Sequence, residues 1–460
     1  MFIFYSLLGI IFLSPLPYGA NHDWSWSLCA LLVSLVSISW ASYVFITQRK
    51  EFFFQHTKTI LDLLIVFLSM LAWSVLQANT EWLAGLHHPL WSMISPLLNG
   101  TEHAISLTPS DTMMSVMRLM SYGLVFWLSL CFSQDPERAK TIFTGLMATG
   151  FLYSLYGLIV HLGQLTPEGT PYAADVTSTF INRNHFATYA GLSLLCTLAL
   201  LNHGVTASSK YHIGGNLGMQ RFIEKLIVRS YLPLLIFFVI GTALILSHSR
   251  GGVSSSLLGL IVLLGVLNIN RSTRNIYMVW IFATFILVGT VIFYMSSDGL
   301  IDRLNAQGFT DEARDETYEL TWNAILTNPW LGFGLGSFEE VFPLYKSVFI
   351  SGTFASPHLW DYAHNSYLEA IFEMGFPAAL ALFYCFLRMA IICLRGLFVR
   401  KRDWIYPATG LAATSLIAAH ANVDFSMQIP AIPYTYALLM GAACAQSYTG
   451  QKRRTKKAVE

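Results

Sequence analysis

Charged residues are scarce in this 460-residue chain: Asp, Glu, Lys and Arg make up 12% of it, whereas hydrophobic residues make up 54%. The two signs nearly cancel, at a formal net charge of +1. A protein that binds nucleic acid through its phosphates presents a concentrated positive surface, so this composition indicates no nucleic-acid partner. A mean hydropathy of +0.53 is instead typical of an integral membrane protein.

Cysteine is also rare, and none lies in the long hydrophilic parts of the chain. All six fall in hydrophobic segments: Cys29, Cys131, Cys196, Cys385, Cys393 and Cys444. This placement indicates neither a disulfide framework nor a thiolate metal site. The pair His87-His88 and the scattered acidic residues lack the spacing of a zinc or two-metal site. The sequence therefore predicts no metal and no cofactor.

Hydrophobic runs of membrane-spanning length recur along nearly the whole chain. They predict an all-α, polytopic membrane protein, a single integral domain over 1–460 with about twelve transmembrane helices. The predicted spans are 1–17, 26–47, 59–78, 112–132, 142–163, 186–204, 231–247, 253–269, 276–295, 366–394, 405–423 and 430–448. The first span lacks a basic N-terminal region and a small-residue cleavage site, so we expect it to be retained.

Lys and Arg are unevenly distributed between the two sides of these spans. Twenty of the 27 lie in the segments 48–58, 133–141, 205–230, 270–275, 395–404 and 449–460. The opposite side holds five, namely Arg183, Arg250, Arg303, Arg314 and Lys346. Because positively charged loops stay in the cytoplasm, both termini are predicted to be cytoplasmic. The basic C-terminal tail is expected to anchor near anionic membrane lipids.

The longest segment on the outer side, 296–365, is predicted to contain helices of its own. In its stretch TYELTWNAILTNPW, apolar residues recur at helical spacing, namely Tyr318, Trp322, Ile325 and Leu326. The dipeptide Asn328-Pro329 ends this pattern. Arg314 lies one turn before Tyr318 on the same stripe, which predicts that it points toward the buried or membrane-facing side.

Arginine is the main cation of the outer side, and its planar, always charged fork matches phosphate oxygens. Arg250 lies in LSHSRGGVSSS, and Arg183 lies in STFINRNHFATYAGL beside Asn184 and His185. Together with Arg314, they predict a pyrophosphate site for a lipid-linked sugar donor, whose leaving group needs its charge stabilised. The alternatives are that Arg250 snorkels at a helix end, that Arg183 is an interfacial cap and that Arg314 neutralises neighbouring acids.

The stretch 356–376, SPHLWDYAHNSYLEAIFEMGF, places ionisable residues where a polar loop meets an apolar helix. Such groups are expensive at membrane depth and usually functional. His364 is predicted to be a general base for an acceptor hydroxyl, because an unperturbed imidazole titrates near neutral pH; the alternative is a structural histidine at the interface. Asn365 is expected to orient His364 or to cap the next helix, and Glu369 to contact the acceptor.

Four sequence blocks resemble the O-antigen ligase and polymerase superfamily of bacterial envelope polysaccharide synthesis. In chain order they are STFINRNHFATYAGL (178–192), HSRGGVSSSLLGL (248–260), TWNAILTNPWLGFGLGSFEEVFPLY (321–345) and AHNSYLEAIFEMGFPAAL (363–380). They define an O-antigen ligase-like region over 178–380, while the five preceding spans match in topology alone.

The resemblance implies an inverting, metal-independent glycosyltransferase with a GT-C-like fold in the bacterial inner membrane. Such enzymes transfer a glycan from undecaprenyl pyrophosphate to an acceptor glycan or lipid at the periplasmic face. By matching block, Arg250 and an arginine of the long loop would bind pyrophosphate, and His364 would assist the acceptor. The family often has an arginine one turn before the residue matching Trp322, where this chain has Tyr318.

Several functions stay open from the sequence. The NRNHFA and GLGSFEEVFPLY blocks slightly favour an exopolysaccharide-type polymerase over ligation of O-antigen to lipid A core in lipopolysaccharide synthesis, and protein O-glycosylation is a further enzymatic option. The contrasting class is a transporter or flippase for the same lipid-linked glycan, whose site would lie near the bilayer midplane. Arg118 and Asp62, inside predicted spans, favour a transporter, whereas the outer position of the other candidates favours an enzyme.

Overall fold

The computed structural model describes residues 1–48, 59–96, 103–164, 175–207, 231–269, 300–346, 361–400 and 403–457. In these residues the fold is all α-helical, without strands. The helices are α1 (Phe2–Leu13), α2 (Asp23–Ile46), α3 (Leu61–Ala78), α4 (Pro89–Ile94), α5 (Pro109–Phe132), α6 (Pro136–Leu162), α7 (Arg183–Ala207), α8 (Tyr231–Leu246), α9 (Arg250–Ile269), α10 (Leu300–Thr327), α11 (Phe338–Val341), α12 (Ser366–Val399), α13 (Ile405–His420) and α14 (Ala431–Lys457).

The described helices agree with the predicted membrane architecture. A helix lies in each predicted span except 276–295, which is outside the described residues. Of the helices that the structure describes, seven are long and apolar enough to cross a membrane, namely α2, α3, α5, α6, α7, α9 and α12. The prediction of an all-α, polytopic membrane protein is confirmed.

Helix α7 lies at the centre of the bundle, packed against α6, α8, α9 and α13. Of the residues in the apolar stretch of α7, 89% are buried inside the protein, compared with 28% of those in the apolar stretch of α2. Polar side chains at the start of α7 therefore face other helices rather than lipid. On the other side of the bundle α14 packs along α5, and α12 packs against α3, α13 and α14.

Helix α10 confirms that the segment 296–365, predicted to lie on the outer side, contains a helix, and it ends at Thr327, directly before Asn328-Pro329. The predicted apolar stripe is buried only in part. Ile325 is 1% exposed, whereas Trp322 is 42% and Leu326 56% exposed. The side of α10 that packs on protein is formed instead by small residues, Thr317, Thr321 and Ala324, together with Ile325.

Helix α12 breaks at Gly375, whose φ is +73°. The loop that carries Gly332 and Gly334 packs directly against this break, and the backbone N–H of Gly334 donates to the carbonyl of Glu373 at 2.8 Å. A Cβ on Gly332, whose φ is +68°, would lie 2.4 Å from the same carbonyl oxygen. These glycines thus serve close backbone packing, which fixes the outer third of α12.

The two ionisable residues that favoured a transporter each contact another side chain. Asp62 of α3 pairs with Arg388 of α12. Arg118 donates to Ser115 at 2.9 Å and lies over the ring of Trp26, 5.3 Å from its centroid. These contacts join neighbouring helices and are consistent with a packing role.

Candidate active site

Four chain segments meet at the predicted outer end of the bundle: the start of α7, the α8–α9 turn, the start of α12 and the α13–α14 turn. Asn184 links three of them, since its Nδ2 donates to Asp424 Oδ1 at 3.1 Å and its Oδ1 accepts from Ser249 Oγ at 2.7 Å. The hydroxyl of Ser366 donates to the carbonyl of Asp424 at 3.0 Å. The segments are therefore joined by side-chain hydrogen bonds rather than by packing alone.

Asp424 is the buried anion of this region, at 1% exposure. His185 Nε2 lies 3.8 Å and His420 Nε2 4.0 Å from its Oδ2, and the hydroxyl of Ser426 donates to the same oxygen. Burial alone would raise the pKa of Asp424, yet this pKa lies below its ordinary value, because the two imidazoles and the hydrogen bonds from Ser426 and Asn184 favour the carboxylate. Asp424 therefore places a negative charge among histidines.

The backbone of His364 is held in a conformation that non-glycine residues rarely adopt, with φ at +54°. The hydroxyl of Tyr318 donates to its carbonyl oxygen at 2.9 Å. The N–H of the preceding Ala363 donates to Glu369 Oε2 at 2.9 Å. The imidazole contacts the Phe425 ring edge-on, at 4.8 Å between centroids. Strain held in place by such contacts is concentrated at functional sites.

The expectation of an unperturbed imidazole at His364 is wrong. Burial lowers the pKa of His364 to about 4; the charge of Asp424 acts in the opposite direction, and Arg314 lowers this pKa further. The ring is therefore neutral near pH 7. It is a weaker base than an exposed histidine, so its conjugate acid needs the nearby Asp424.

Asn365 and Glu369 hold the segment that contains His364. Asn365 caps α12, because its Oδ1 accepts from the N–H groups of Tyr367 at 3.0 Å and Leu368 at 3.1 Å. The capping role expected for this residue is confirmed. Glu369 is 1% exposed, and besides the Ala363 N–H it accepts from Gln428 Nε2 at 2.7 Å. Its carboxylate thus ties the start of α12 to the start of α14.

The predicted pyrophosphate ligands lie in two places. Arg183 Nη1 donates to Asp175 Oδ2 at 2.6 Å, and Arg250 begins α9 with an exposed side chain. Arg314 lies on α10 one turn before Tyr318, and its charge reaches His364. The structure therefore places Arg183 and Arg250 at the starts of two neighbouring helices and Arg314 on the His364 side.

Asp175 also accepts from His248, with Nδ1 2.8 Å from Oδ1. Burial alone would raise the pKa of Asp175, but the hydrogen bond from His248 and the charge of Arg183 hold it below its ordinary value. The sequence had not singled out Asp175, His248, His420 or Asp424. The one available signal was an ionisable residue in a short apolar outer turn, as in ANVDFS around Asp424.

The described residues form no group of three or more His, Cys, Asp or Glu side chains suited to hold a metal ion. A cavity of about 820 Å³ lies beside the site, between α3, α5, α12, α13 and α14. Along α12 it reaches from Ser366 to Ala390, on both sides of the break at Gly375. Tyr362 lines its outer end and stacks on Phe425, at 4.3 Å between centroids.

Residues 235–383 match the family described as O-antigen ligase. This region contains the α8–α9 turn, α10 and the outer part of α12, and therefore Arg250, Arg314 and His364. Residues 235–383 are thus similar to this family, and the match covers less than half of the chain. The match confirms the resemblance to the O-antigen ligase and polymerase superfamily and supports glycan transfer by a multi-pass membrane protein with lipid-linked glycan substrates in general. No curated protein matches the chain.

The matched region does not contain the whole site. Asn184 and His185 precede the matched residues, and Asp424 follows them. Asn184 nevertheless hydrogen-bonds to both Asp424 and Ser249, and His185 Nε2 lies 3.8 Å from Asp424. The central helix α7 and the α13–α14 turn thus complete the site around the matched region.

Proposed function

We propose that this protein transfers a glycan from undecaprenyl pyrophosphate to an acceptor glycan or lipid at the periplasmic face of the bacterial inner membrane. The observation that carries the proposal is the placement of His364. Its strained backbone is held by Tyr318, and its ring packs edge-on against Phe425, the residue after Asp424. The charge of Asp424 raises the pKa of His364, and the carboxylate of Asp424 accepts from Asn184, the neighbour of Arg183. A proton acceptor and phosphate-binding cations thus lie in one connected region.

The proposed reaction is a single displacement with inversion at the anomeric carbon. The acceptor oxygen forms the new bond to that carbon as the bond to the pyrophosphate oxygen breaks, and the electron pair leaves with the pyrophosphate. His364 takes the hydroxyl proton, and Asp424 stabilises the resulting imidazolium. Arg250, Arg183 and Arg314 stabilise the negative charge that develops on the departing pyrophosphate.

The long cavity supports a substrate with an apolar chain. Its wall along α3, α5 and α12 is formed mainly by hydrophobic side chains, while polar groups such as Glu339 and Gln428 lie at the end near His364. A polyprenyl chain can occupy such a space with its polar head at the outer end. Every lipid-linked substrate of the proposed reaction has this shape.

Among acceptors we propose another lipid-linked glycan, which makes the protein a polymerase, ahead of lipid A core or a protein. The NRNHFA and GLGSFEEVFPLY blocks support this order. The transporter is disfavoured because Asp62 and Arg118 make interhelical contacts, whereas the candidate residues gather at the outer ends of the helices. Deletion of the gene separates the enzymatic alternatives: capped single repeats would accumulate without a polymerase, and full-length carrier-linked chains without a ligase.

The test uses purified full-length protein with a defined lipid-linked donor and acceptor. We expect wild type to form product and His364→Ala to lose transfer by about 10²–10⁴-fold, the usual contribution of a general base, while donor binding is retained. His22→Ala, an exposed histidine before α2, is the control and should match wild type. Equal transfer by His364→Ala would remove His364 from the mechanism, and donor crossing the bilayer without product would establish the transporter.

A further inference from the structure

Asp175 holds two cation-forming side chains from different helix ends. Arg183 and His248 each donate to a different oxygen of its carboxylate, at 2.6 and 2.8 Å. The backbone around them is fixed as well, because the N–H of Val176 donates to the carbonyl of Leu246 at 3.0 Å. His248 has a φ of +51°, a second histidine in the left-handed region. The surrounding contacts therefore fix the position of His248.

The contact with Asp175 determines which nitrogen of His248 can meet a ligand. An ionised carboxylate only accepts hydrogen bonds, so Nδ1 of His248 must carry a hydrogen, whatever the state of Nε2. A carboxylate on Nδ1 orients the ring, as in acid–base sites where the opposite nitrogen meets the substrate. The side chain of His248 is 17% exposed, which leaves it within reach of a ligand at the surface of the cluster.

His248 lies two residues before Arg250 and shares a carboxylate with Arg183. Asp175 offsets one positive charge of this group, which leaves one net positive charge when His248 is neutral and two when it is protonated. A sugar-linked pyrophosphate is a diester with two negative charges. The departing pyrophosphate is a monoester, whose added acid group titrates at a pKa of about 6. The product thus needs one more donor or proton than the substrate.

We propose that His248, protonated on both ring nitrogens, contacts the terminal phosphate of the departing polyprenyl pyrophosphate and donates a hydrogen bond from Nε2 to the oxygen that has left the sugar. This inference rests on the proposed function. The acceptor proton goes to His364, and the electron pair of the broken bond goes to the phosphate oxygen that faces His248. Asp175 is the positioning residue that holds His248 and Arg183 for this contact.

The test compares two soluble probes, farnesyl pyrophosphate, which resembles the product, and its terminal methyl ester, which resembles the diester of the donor. Binding is measured by calorimetry on purified full-length protein. His248→Asn suits the backbone, since Asn tolerates positive φ, and its short side chain cannot reach as far as Nε2. We expect affinity for farnesyl pyrophosphate to fall about tenfold or more, as for a lost charge-assisted contact, and affinity for the methyl ester to change less than about twofold.

Arg250→Lys should weaken the binding of both probes, and His22→Asn should change the binding of neither. Equal loss of both probes in His248→Asn would indicate a structural role and overturn the inference, as would unchanged binding of both. If the wild-type protein bound neither probe, the proposal of a pyrophosphate-linked donor would itself be contradicted. Loss of transfer in His364→Ala together with unchanged probe binding in His248→Asn would leave the proposed function intact and refute the inference alone.

Discussion

The phenolic hydroxyl of Tyr318 donates a hydrogen bond to the carbonyl oxygen of His364 at 2.9 Å. This bond joins α10, the helix of the long outer segment, to the residue that enters α12. Tyr318 stands where the resemblance to the superfamily implied an arginine. In this chain that position holds the proposed base in place, and the positive charge comes from Arg314, one turn earlier, which lowers the pKa of His364.

Tyr318→Phe should slow transfer without unfolding the protein. The variant loses one neutral hydrogen bond, worth about 0.5–1.5 kcal/mol, so the rate should fall about two- to tenfold if the bond holds His364 in its reactive position. Tyr345→Phe is the matched control, since in the part of the chain that the structure describes its hydroxyl contacts the exposed Thr327 hydroxyl, at 3.2 Å. The measurement is kcat with the defined donor and acceptor. A rate equal to that of the control would show that α10 does not position His364.

The pH dependence of transfer should report the low pKa of His364. Its imidazole accepts a proton only when neutral, and it is neutral above a pKa of about 4. Lowering the pH should therefore leave kcat/KM nearly constant to about pH 5 and reduce it below that, whereas an ordinary histidine would give a fall near pH 6.5. Asp424→Asn removes a charge that raises this pKa, so its acidic limb should shift to lower pH. A fall of kcat/KM near pH 6.5 that Asp424→Asn leaves unchanged would contradict the assignment of His364 as the base.

The sequence predicted much of the fold because membrane helices are encoded locally. A few neighbouring residues are enough to identify each signal: the apolar runs, the Asn328-Pro329 stop after α10 and the Asn365 cap of α12. His364 could be selected for the same reason, as an ionisable residue at the edge of an apolar run. Glu369 was also selected, but its contact with the backbone of Ala363 could not be read from the sequence.

The remainder of the site depends on contacts between distant parts of the chain. Asn184 meets Asp424 across 240 residues, and His248 meets Asp175 across 73. No local pattern encodes either pair. The low pKa of His364 has the same origin, because it reflects burial by α10 and the α13–α14 turn rather than the residues beside it in sequence. The hydrogen-bond partners of Asn184 and His248, and the low pKa of His364, could therefore be found only from the structure.

Gly332→Ala should destabilise the protein. Its φ of +68° strains any L-residue, and the added Cβ would meet the Glu373 carbonyl at 2.4 Å, where a rigid backbone leaves no room to adjust. We expect a loss of about 1–3 kcal/mol or more, measured as a lower Tm in detergent. Gly265→Ala is the control: it lies within α9 with no atom within 4 Å of the added Cβ. Equal Tm values for the two variants would refute the packing role of the loop glycines.

Cysteine labelling should test the predicted orientation. The six native cysteines are buried, so single exposed cysteines can be added at Glu340, in the predicted outer segment, and at Lys140, in the predicted cytoplasmic segment 133–141. An impermeant reagent should label Glu340→Cys in intact spheroplasts and Lys140→Cys only after lysis, because 20 of 27 Lys and Arg lie on the Lys140 side. The reverse pattern would invert the topology and place the proposed site in the cytoplasm.

Arg250→Lys should impair transfer although the charge is kept. A lysine ammonium cannot offer the planar, two-pronged donor set that an arginine presents to phosphate oxygens. If one charge-assisted contact of about 1.5–3 kcal/mol is lost, the rate should fall about ten- to a hundredfold. Arg138→Lys, on the predicted cytoplasmic side and paired with Asp135 at 3.8 Å, is the matched control and should keep full activity. The decisive comparison is kcat/KM for the lipid-linked donor at equal amounts of folded protein. If Arg250→Lys kept full activity, its guanidinium would have no special role at the pyrophosphate, and Arg250 would be a helix-end residue whose charged group only reaches toward water.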